Sequence, residues 1–461
     1  MKRTPAAKPK TRQPAVPARP ASAGPTASAA DALARIAPAR AAAFEILTRV
    51  GEGKGHSDEL LRSSRTSALT LEDRNLATAL VMGVLRWQIA LDARLAKLLA
   101  RPGQRLAEPV ALALRLGAFQ LLHMDRIPAH AVLNESVELC RAAGHPHAAG
   151  MVNAVLRKLA AAQKPGTRIF ESPAAFAERL GHPLWLVERW VAAYGREAAL
   201  AICEYDQREP QAGSLFPAPH TDATEPTSPA EATPQIDDGS RLVAELAAAS
   251  LPFAAERASR IWDCCAAPGG KTLMLALRLP TAEILATDVS AKRLALTTAR
   301  LRQYPYAARV RTEVVDASTP AADPTFDLIL CDVPCSGTGT LARNPEIRHH
   351  LRPEDLARHA TRQRAILTGA LRRLAPGGRL IYSTCSLEPE ENEQVVDAVA
   401  SAAGLRRLPI EPLLANLATA GILAHDVSAK LVASAINAHA LRTLPGVLPC
   451  DGFFAAALER N

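Results

Sequence analysis

The sequence predicts two folds in series: an all-α domain, followed by an α/β domain on a mostly parallel, doubly wound sheet. Three observations predict this. Apolar residues recur at helical spacing from about residue 33 to 159 with no strand pattern between them. From about residue 256 onward, short apolar runs alternate with helical stretches, the pattern of a sheet covered on both faces. A glycine-rich turn, Asp263 to Thr272, joins the first of those runs to a helix.

The chain of 461 residues opens on a tail, residues 1–32, rich in Ala and Pro. Lys2, Arg3, Lys8, Lys10, Arg12 and Arg19 stand in its first 30 residues without an acid and supply six units of the net charge of +8, leaving the remainder only mildly basic. Such a segment reads as disordered, either a solubilising appendage or an arm attracted to RNA. It has no signal-peptide run, and no window approaches about 18 uninterrupted apolar residues, so the expectation is a cytoplasmic protein with no membrane partner. Eight cysteines lack Cys-x-x-Cys pairs or neighbouring His pairs, which predicts reduced thiols and no metal site.

Residues 33–165 form the helical domain. Stripes such as Ala43, Ile46, Leu47 and Val50, or Leu112, Leu116 and Phe119, are core positions, and breaks at Gly51–Gly55, Arg101–Gln104, Ile127–Pro128 and Gly144–Pro146 divide the helices. Residues 166–255 read as a connector: a helix over Pro183–Tyr205, then a polar linker rich in Pro, Thr, Ser and Asp. The α/β domain occupies 256–461. Its strand candidates are Arg260–Asp263, Glu283–Asp288, Val310–Asp316, Phe326–Asp332 and Arg379–Cys385, with helices at Ser290–Leu301 and Pro353–Leu374.

The turn Cys265, Ala266, Ala267, Pro268, Gly269, Gly270, Lys271 enters a helix where such sheets bring bare backbone to a ligand. It is not a phosphate loop: Cys265 stands where that pattern needs its first glycine, and Pro268 removes an amide. Asp288, ending the second strand, is placed to accept hydrogen bonds from ribose hydroxyls, the competing account being a local helix cap. Asp316, ending the third, can accept from an adenine amine or cap the next segment. Cys335 and Cys385 follow the fourth and fifth strands, two thiols at neighbouring strand ends, whereas Cys140, Cys203, Cys264, Cys331 and Cys450 read as inert packing. A thiolate beside a nucleoside site can add to carbon 6 of a pyrimidine and make carbon 5 nucleophilic enough to take a methyl group. Loss of the carbon 5 proton and of the sulfur then needs a second group at the ring. Asp332 is placed to contact the ring and stabilise the charge that addition creates.

These residues resemble the Sun-type RNA cytosine-5 methyltransferases, and within them the bacterial 16S rRNA branch of the RsmB (Sun, Fmu) type. The likeness runs from about Leu33 to the C-terminus. It rests on Cys265–Thr272, Asp332–Gly339, Leu374–Leu387, Pro389-Glu390-Glu391-Asn392 and Asp451-Gly452-Phe453-Phe454. The helical part resembles the NusB-type RNA-binding fold at Asp73-Arg74, Gly83–Trp87, Arg115–Gly117, Pro128–His130, Asn134-Glu135 and Asn153–Arg157.

The resemblance implies a Rossmann-like catalytic domain that holds S-adenosylmethionine through Cys265–Lys271, Asp288, Asp316 and Asp332. It implies Cys385 as nucleophile, Cys335 in product release and rRNA rather than DNA as partner; a monomer is the default expectation. Methylation of a tRNA cytosine, or a non-catalytic RNA-binding role, are the alternatives. Two departures stand out: residues 209–255 are short and polar where relatives carry a small α/β subdomain, implying a reduced RNA platform. Arg343-Asn344-Pro345 and His349 replace a His-Pro pair and a Trp of the target loop.

Overall fold

The computed structural model describes residues 36–101, 103–162, 171–210, 215–217, 233–251, 258–437 and 439–460. The basic tail over 1–32, and the most Pro- and Thr-rich part of the linker, lie outside the described residues.

The first part is helical. Pro38–Gly51, Leu71–Ala96, Glu108–His123, Ala129–Ala142 and Ala149–Ala161 pack their apolar stripes into one core that includes Leu47, Leu80, Val84, Leu114, Leu139 and Leu156. Thr70 caps the long helix, its hydroxyl accepting from the Asp73 amide at 3.1 Å. That helix has the length and mean hydropathy of a membrane span. Half of its apolar window is buried inside this core, so it is the central helix of the domain. Gly83 lies on its buried face, where a Cβ would meet the Phe119 ring at 1.9 Å.

Among the described residues, the second part is a nine-stranded sheet. Strands β1 (Arg260–Asp263), β2 (Glu283–Asp288), β3 (Arg311–Val314), β4 (Phe326–Asp332) and β5 (Leu374–Thr384) run parallel in the order β3-β2-β1-β4-β5. The chain leaves β1 to one side and returns to its other side at β4, so β1 and β4 flank the switch in strand order where such sheets open a crevice. Strands β6 (Arg406–Leu408), β7 (Ile436–Asn437), β8 (Ala440–Arg442) and β9 (Phe454–Glu459) extend the sheet by antiparallel pairing, which the sequence reading did not anticipate. Alternate residues face opposite cores, as strand geometry requires: Ile261, Leu328, Leu330 and Ile381 to one side, Trp262, Ile329, Cys331 and Tyr382 to the other.

Several boundaries differ from expectation. β3 ends at Val314 and β5 at Thr384, so Asp316 and Cys385 stand just past the strands that carry them. Much of the stretch taken as polar linker is instead the helix Asp238–Ser250, capped by Asp237 and burying Leu242, Val243, Leu246 and Ala247 against the sheet. Its stripe is short and set among alanines, which weakens the periodic signal. The connector helix runs Leu184–Asp206 with a kink at Gly195, where φ is +83°. With Phe176, Leu180, Trp190 and Ile202 it packs onto Leu341 and Leu387 of the sheet domain.

In the segment 343–350, where the resemblance places target-loop residues, Arg343 pairs with Asp451 at 2.6 Å, while Glu346, Arg348 and His349 dock on the helical part. Glu346 accepts from the Ser57 amide at 3.1 Å and hydroxyl at 3.0 Å, and Arg86 Nη2 donates to the Ala342 carbonyl at 2.9 Å. His349 Nε2 lies 2.7 Å from the Leu85 carbonyl, and Arg348 Nη1 donates to the carbonyls of Arg86 and Gly181, each at 3.1 Å. Burial drives the His349 imidazole down to about 3, so it docks neutral and uses Nε2–H.

Candidate active site

The glycine-rich turn leaves β1 and enters the helix Gly270–Arg278. Gly269 has φ +92°, and a Cβ there would stand 2.9 Å from Thr297 Cγ2, so both backbone and packing exclude a side chain. Thr272 donates to the buried Asp263 carboxylate at 2.7 Å, tying the helix start to the strand end.

Two clefts open above the strand ends. The narrower, about 320 Å³, is lined by Cys265, Ala267, Asp288, Val289, Asp316, Ala317, Asp332, Pro334, Cys335, Ile366 and Cys385. The wider, about 1410 Å³, lies between the two domains. Arg62 and Arg74 reach it from the helical side, and Ala266, Pro268, Gly270, Lys271, Arg300, Asp332 and Arg343 from the sheet side. The turn residues therefore divide: Cys265 and Ala267 face both clefts, Ala266, Pro268, Gly270 and Lys271 only the wider one, and Gly269 neither. Asp332 borders both and joins them.

Each strand-end acid has a defined environment. Asp288 is buried; its Oδ1 accepts from the Ser290 amide at 2.9 Å and its Oδ2 lies 3.3 Å from Arg293, while Ser290 itself caps the helix Ala291–Leu301. The local-turn account of Asp288 thus holds alongside its exposure to the cleft. Asp316 Oδ1 accepts from the Ser318 hydroxyl and amide at 2.7 and 2.9 Å, bonds that hold its carboxyl below the usual range. Asp332 accepts from the Ser383 hydroxyl at 2.7 Å and pairs with Lys271 Nζ at 2.7 Å. Lys271 also donates to Ser240 at 2.7 Å and lies over the Phe453 ring at 5.2 Å. Burial works against its charge, but the Asp332 carboxylate outweighs burial and raises its pKa.

The two thiols come together: Cys335 Sγ and Cys385 Sγ are 3.4 Å apart, presented by adjacent parallel strands. The hydrogen bond with Cys385, together with burial, pushes the Cys335 thiol well above its ordinary value and holds it protonated. Cys140, Cys203, Cys264, Cys331 and Cys450 are all buried in packing.

Sequence reasoning passed over Ser240, Phe453 and Gln363 as individual site residues. Ser240 lies in the stretch read as linker, and Phe453 was visible only as part of the closing Asp-Gly-Phe-Phe. Gln363 had one local signal, a polar residue on the buried face of the helix Pro353–Leu371.

A family model described as 16S rRNA methyltransferase RsmB/F matches residues 251–459, and one for the NusB family matches residues 37–161. The ribosomal RNA small subunit methyltransferase B of Xanthomonas campestris is 32% identical over 465 residues, spanning 93% of this chain and 99% of that protein. The chain belongs to the ribosomal RNA small subunit methyltransferase B family. Within this family, the Bacillus subtilis relative, described as a probable small subunit methyltransferase B, is 30% identical and covers 77% of this chain and 86% of its own. The crystal structure of PH0851 superposes with a TM-score of 0.68 at 20% identity over 92% of this chain and 99% of that one, a likeness of fold. Membership makes the chain an S-adenosylmethionine-dependent RNA methyltransferase of the Sun type, with a NusB-like helical domain ahead of its Rossmann-like one.

Proposed function

We propose that the protein methylates carbon 5 of a cytosine in small-subunit rRNA through a transient bond from Cys385 to carbon 6 of the base. The observation that carries this reading is the pair of sulfurs, 3.4 Å apart, at the mouth of a cleft lined by Asp288, Asp316 and Asp332.

The narrow cleft fits S-adenosylmethionine by its donor set and size. Asp288 would accept from the ribose hydroxyls and Asp316 from the adenine amine, with Val289, Ala317 and Ile366 as apolar walls around the ring. The bound cofactor supplies an electrophilic methyl group on a sulfonium. The wide cleft suits the RNA: Arg62, Arg74 and Arg300 offer charge to phosphates, and a flipped cytosine reaches Asp332 and Lys271 at its floor.

Addition of the Cys385 thiolate to carbon 6 places electron density on the ring; Asp332 accepts from the exocyclic amine, and Lys271 donates to the ring nitrogen. Carbon 5 takes the methyl group; the carbon 6–sulfur bond then breaks, Cys335 giving its proton to the departing Cys385 sulfur and taking up the carbon 5 proton in exchange, so that it ends as a thiol again. Cys335, kept protonated, is a proton carrier beside that bond rather than a rival nucleophile.

Incubation with tritiated methyl donor and rRNA tests the scheme. Cys385→Ala is expected to abolish transfer, and Cys335→Ala to accumulate a protein–RNA adduct. Normal turnover by Cys335→Ala with no adduct would remove Cys335 from the scheme, whereas loss of transfer in Cys335→Ala with an adduct in Cys385→Ala would reverse the two assignments. Bisulfite sequencing of RNA from a deletion strain identifies the substrate: loss of a 5-methylcytosine from tRNA in place of 16S rRNA would overturn the choice of RNA.

A further inference from the structure

Glu391 belongs to a motif whose presence the scheme above leaves without a task. It sits in a short turn over Pro389–Glu391 and is fully buried, with Ser386, Gln363 and Asn392 equally buried around it. Among the described residues no lysine or arginine pairs with it. Three of its four side-chain hydrogen bonds come from the serines beside the two cysteines, the fourth from Gln363. The Ser336 amide donates to Oε1 at 2.9 Å, and the Ser336 hydroxyl donates to Oε2. The Ser386 hydroxyl donates to Oε2 at 2.5 Å, and Gln363 Nε2 to Oε1 at 2.9 Å.

Each cysteine is in this way pinned on both sides. Gln363 also donates to the Pro334 carbonyl at 3.0 Å, so the residues before and after Cys335 both bond to the Glu391–Gln363 pair. Around Cys385, Thr384 donates to Asn392 Oδ1 at 2.5 Å, and Asn392 Nδ2 donates to the Ser386 carbonyl at 2.9 Å. Residues 336 and 386 lie on different strand ends, and their hydroxyls are 3.0 Å apart because one carboxylate oxygen draws both. The sulfurs next to them stand 3.4 Å apart.

We propose that Glu391 is the positioning residue that sets the separation and aim of the Cys335 and Cys385 sulfurs. The proposal rests on reading those two thiols as the working groups. Glu391 touches neither sulfur and acts through the serines. A buried carboxylate is costly to hold and persists only where its donors are supplied by rigid neighbours. Here those neighbours are the two loops whose register matters, and a thiol misplaced by about 1 Å costs about a hundredfold in rate. A glutamine at 391 keeps the shape and can donate its amide hydrogens to the two serine hydroxyls, but it replaces charge-assisted bonds to both loops with neutral ones about half as strong, so both tethers weaken.

The test reads geometry and turnover separately, on the full chain. Diamide oxidises two neighbouring thiols to a disulfide with loss of two hydrogens to the reagent, and peptide mapping follows the Cys335–Cys385 linkage. In Glu391→Gln the linkage is expected to form at least tenfold more slowly. Turnover with rRNA is expected to fall about a hundredfold while the KM for RNA moves less than about threefold.

Should Glu391→Gln fail to melt cooperatively, Ser336→Ala/Ser386→Ala carries the test, since it removes both hydroxyl tethers and leaves the carboxylate in place. A folded variant that closes the disulfide and turns over at the wild-type rates overturns the proposal. Slowed closure in a protein whose Cys385→Ala form still methylates would keep Glu391 as the positioning residue and overturn the chemistry assigned to the thiols.

Discussion

Replacing Arg348 with methionine removes a buried charge at the junction of the two domains, and the cost should depend on pH in a calculable way. Arg348 is nearly inaccessible, and its Nη1 donates to the Arg86 and Gly181 carbonyls, each at 3.1 Å. Bonds from a charged donor contribute about 1.5–3 kcal/mol each, so the loss is about 3–6 kcal/mol. Beside it lies Asp206, which has no exposed surface; burial raises its carboxyl to about 7 in spite of Arg348 and the Ala342 amide.

His182 supports that assignment. Burial keeps the imidazole neutral, and Nδ1 lies 2.7 Å from the Leu180 carbonyl, so Nδ1 carries the proton. Nε2 is then an acceptor, 3.2 Å from Asp206 Oδ2, which must donate.

Because the folded carboxyl is raised above its ordinary 3.8, stability is greatest at low pH and declines until the folded group ionises near 7. Without Arg348 the folded carboxyl stays protonated higher still, so the decline continues. At pH 5.5 both proteins hold the proton, so the pH-dependent part of the difference vanishes and only the loss of the two bonds remains. At pH 8 the wild type has recovered about 1.4 kcal/mol by ionising, one unit beyond its pKa, and the variant has not. Urea unfolding of both proteins at the two pH values, followed by fluorescence, measures this, since Trp190 packs edge-on against His182 at 5.9 Å. A destabilisation equal at both pH values within about 0.5 kcal/mol would refute the coupling.

Three further outcomes follow from particular contacts. Asp288→Asn should weaken binding of S-adenosylmethionine about 10- to 100-fold by calorimetry, with the melting temperature of the free protein little changed. Gly339→Ala places a Cβ 2.2 Å from the Gly452 carbonyl, in the loop whose amide donates to the Cys385 carbonyl at 2.9 Å. It should cost about 1–3 kcal/mol in urea unfolding and lower kcat more than KM. Gly83→Ala should destabilise by a similar amount although alanine is the better helix former, because of the Phe119 ring 1.9 Å away. Adding Phe119→Leu should restore part of that loss, which a double-mutant cycle reads directly.

The parts of the site that could be read from the sequence are those carried by short, contiguous signals. The turn Cys265–Lys271 was legible because a strand, a proline, two glycines and a helix stand in immediate succession. Asp288 and Asp332 were legible because each closes an apolar run, and Cys335 and Cys385 because each follows such a run. The connector was less so: Leu242, Val243 and Leu246 sit among alanines after a polar stretch, and their helix announces itself only by what it covers. The antiparallel edge was missed because β7 and β8 are two and three residues long and pair only through β9.

From the amino-acid order alone came the helical domain, the alternation of strands and helices behind it, and the residue types at the strand ends, since hydrophobic period and turn chemistry act over a few residues. Only the tertiary structure decided that Glu391 ties two loops together, that Lys271 points to Asp332 and Phe453, and that Glu346, Arg348 and His349 grip the helical domain. Apart from Ser386 and Glu391, five positions apart, those pairings join residues tens to hundreds of positions apart. They depend on where the folded sheet and helices bring buried donors and acceptors, and no local pattern encodes that.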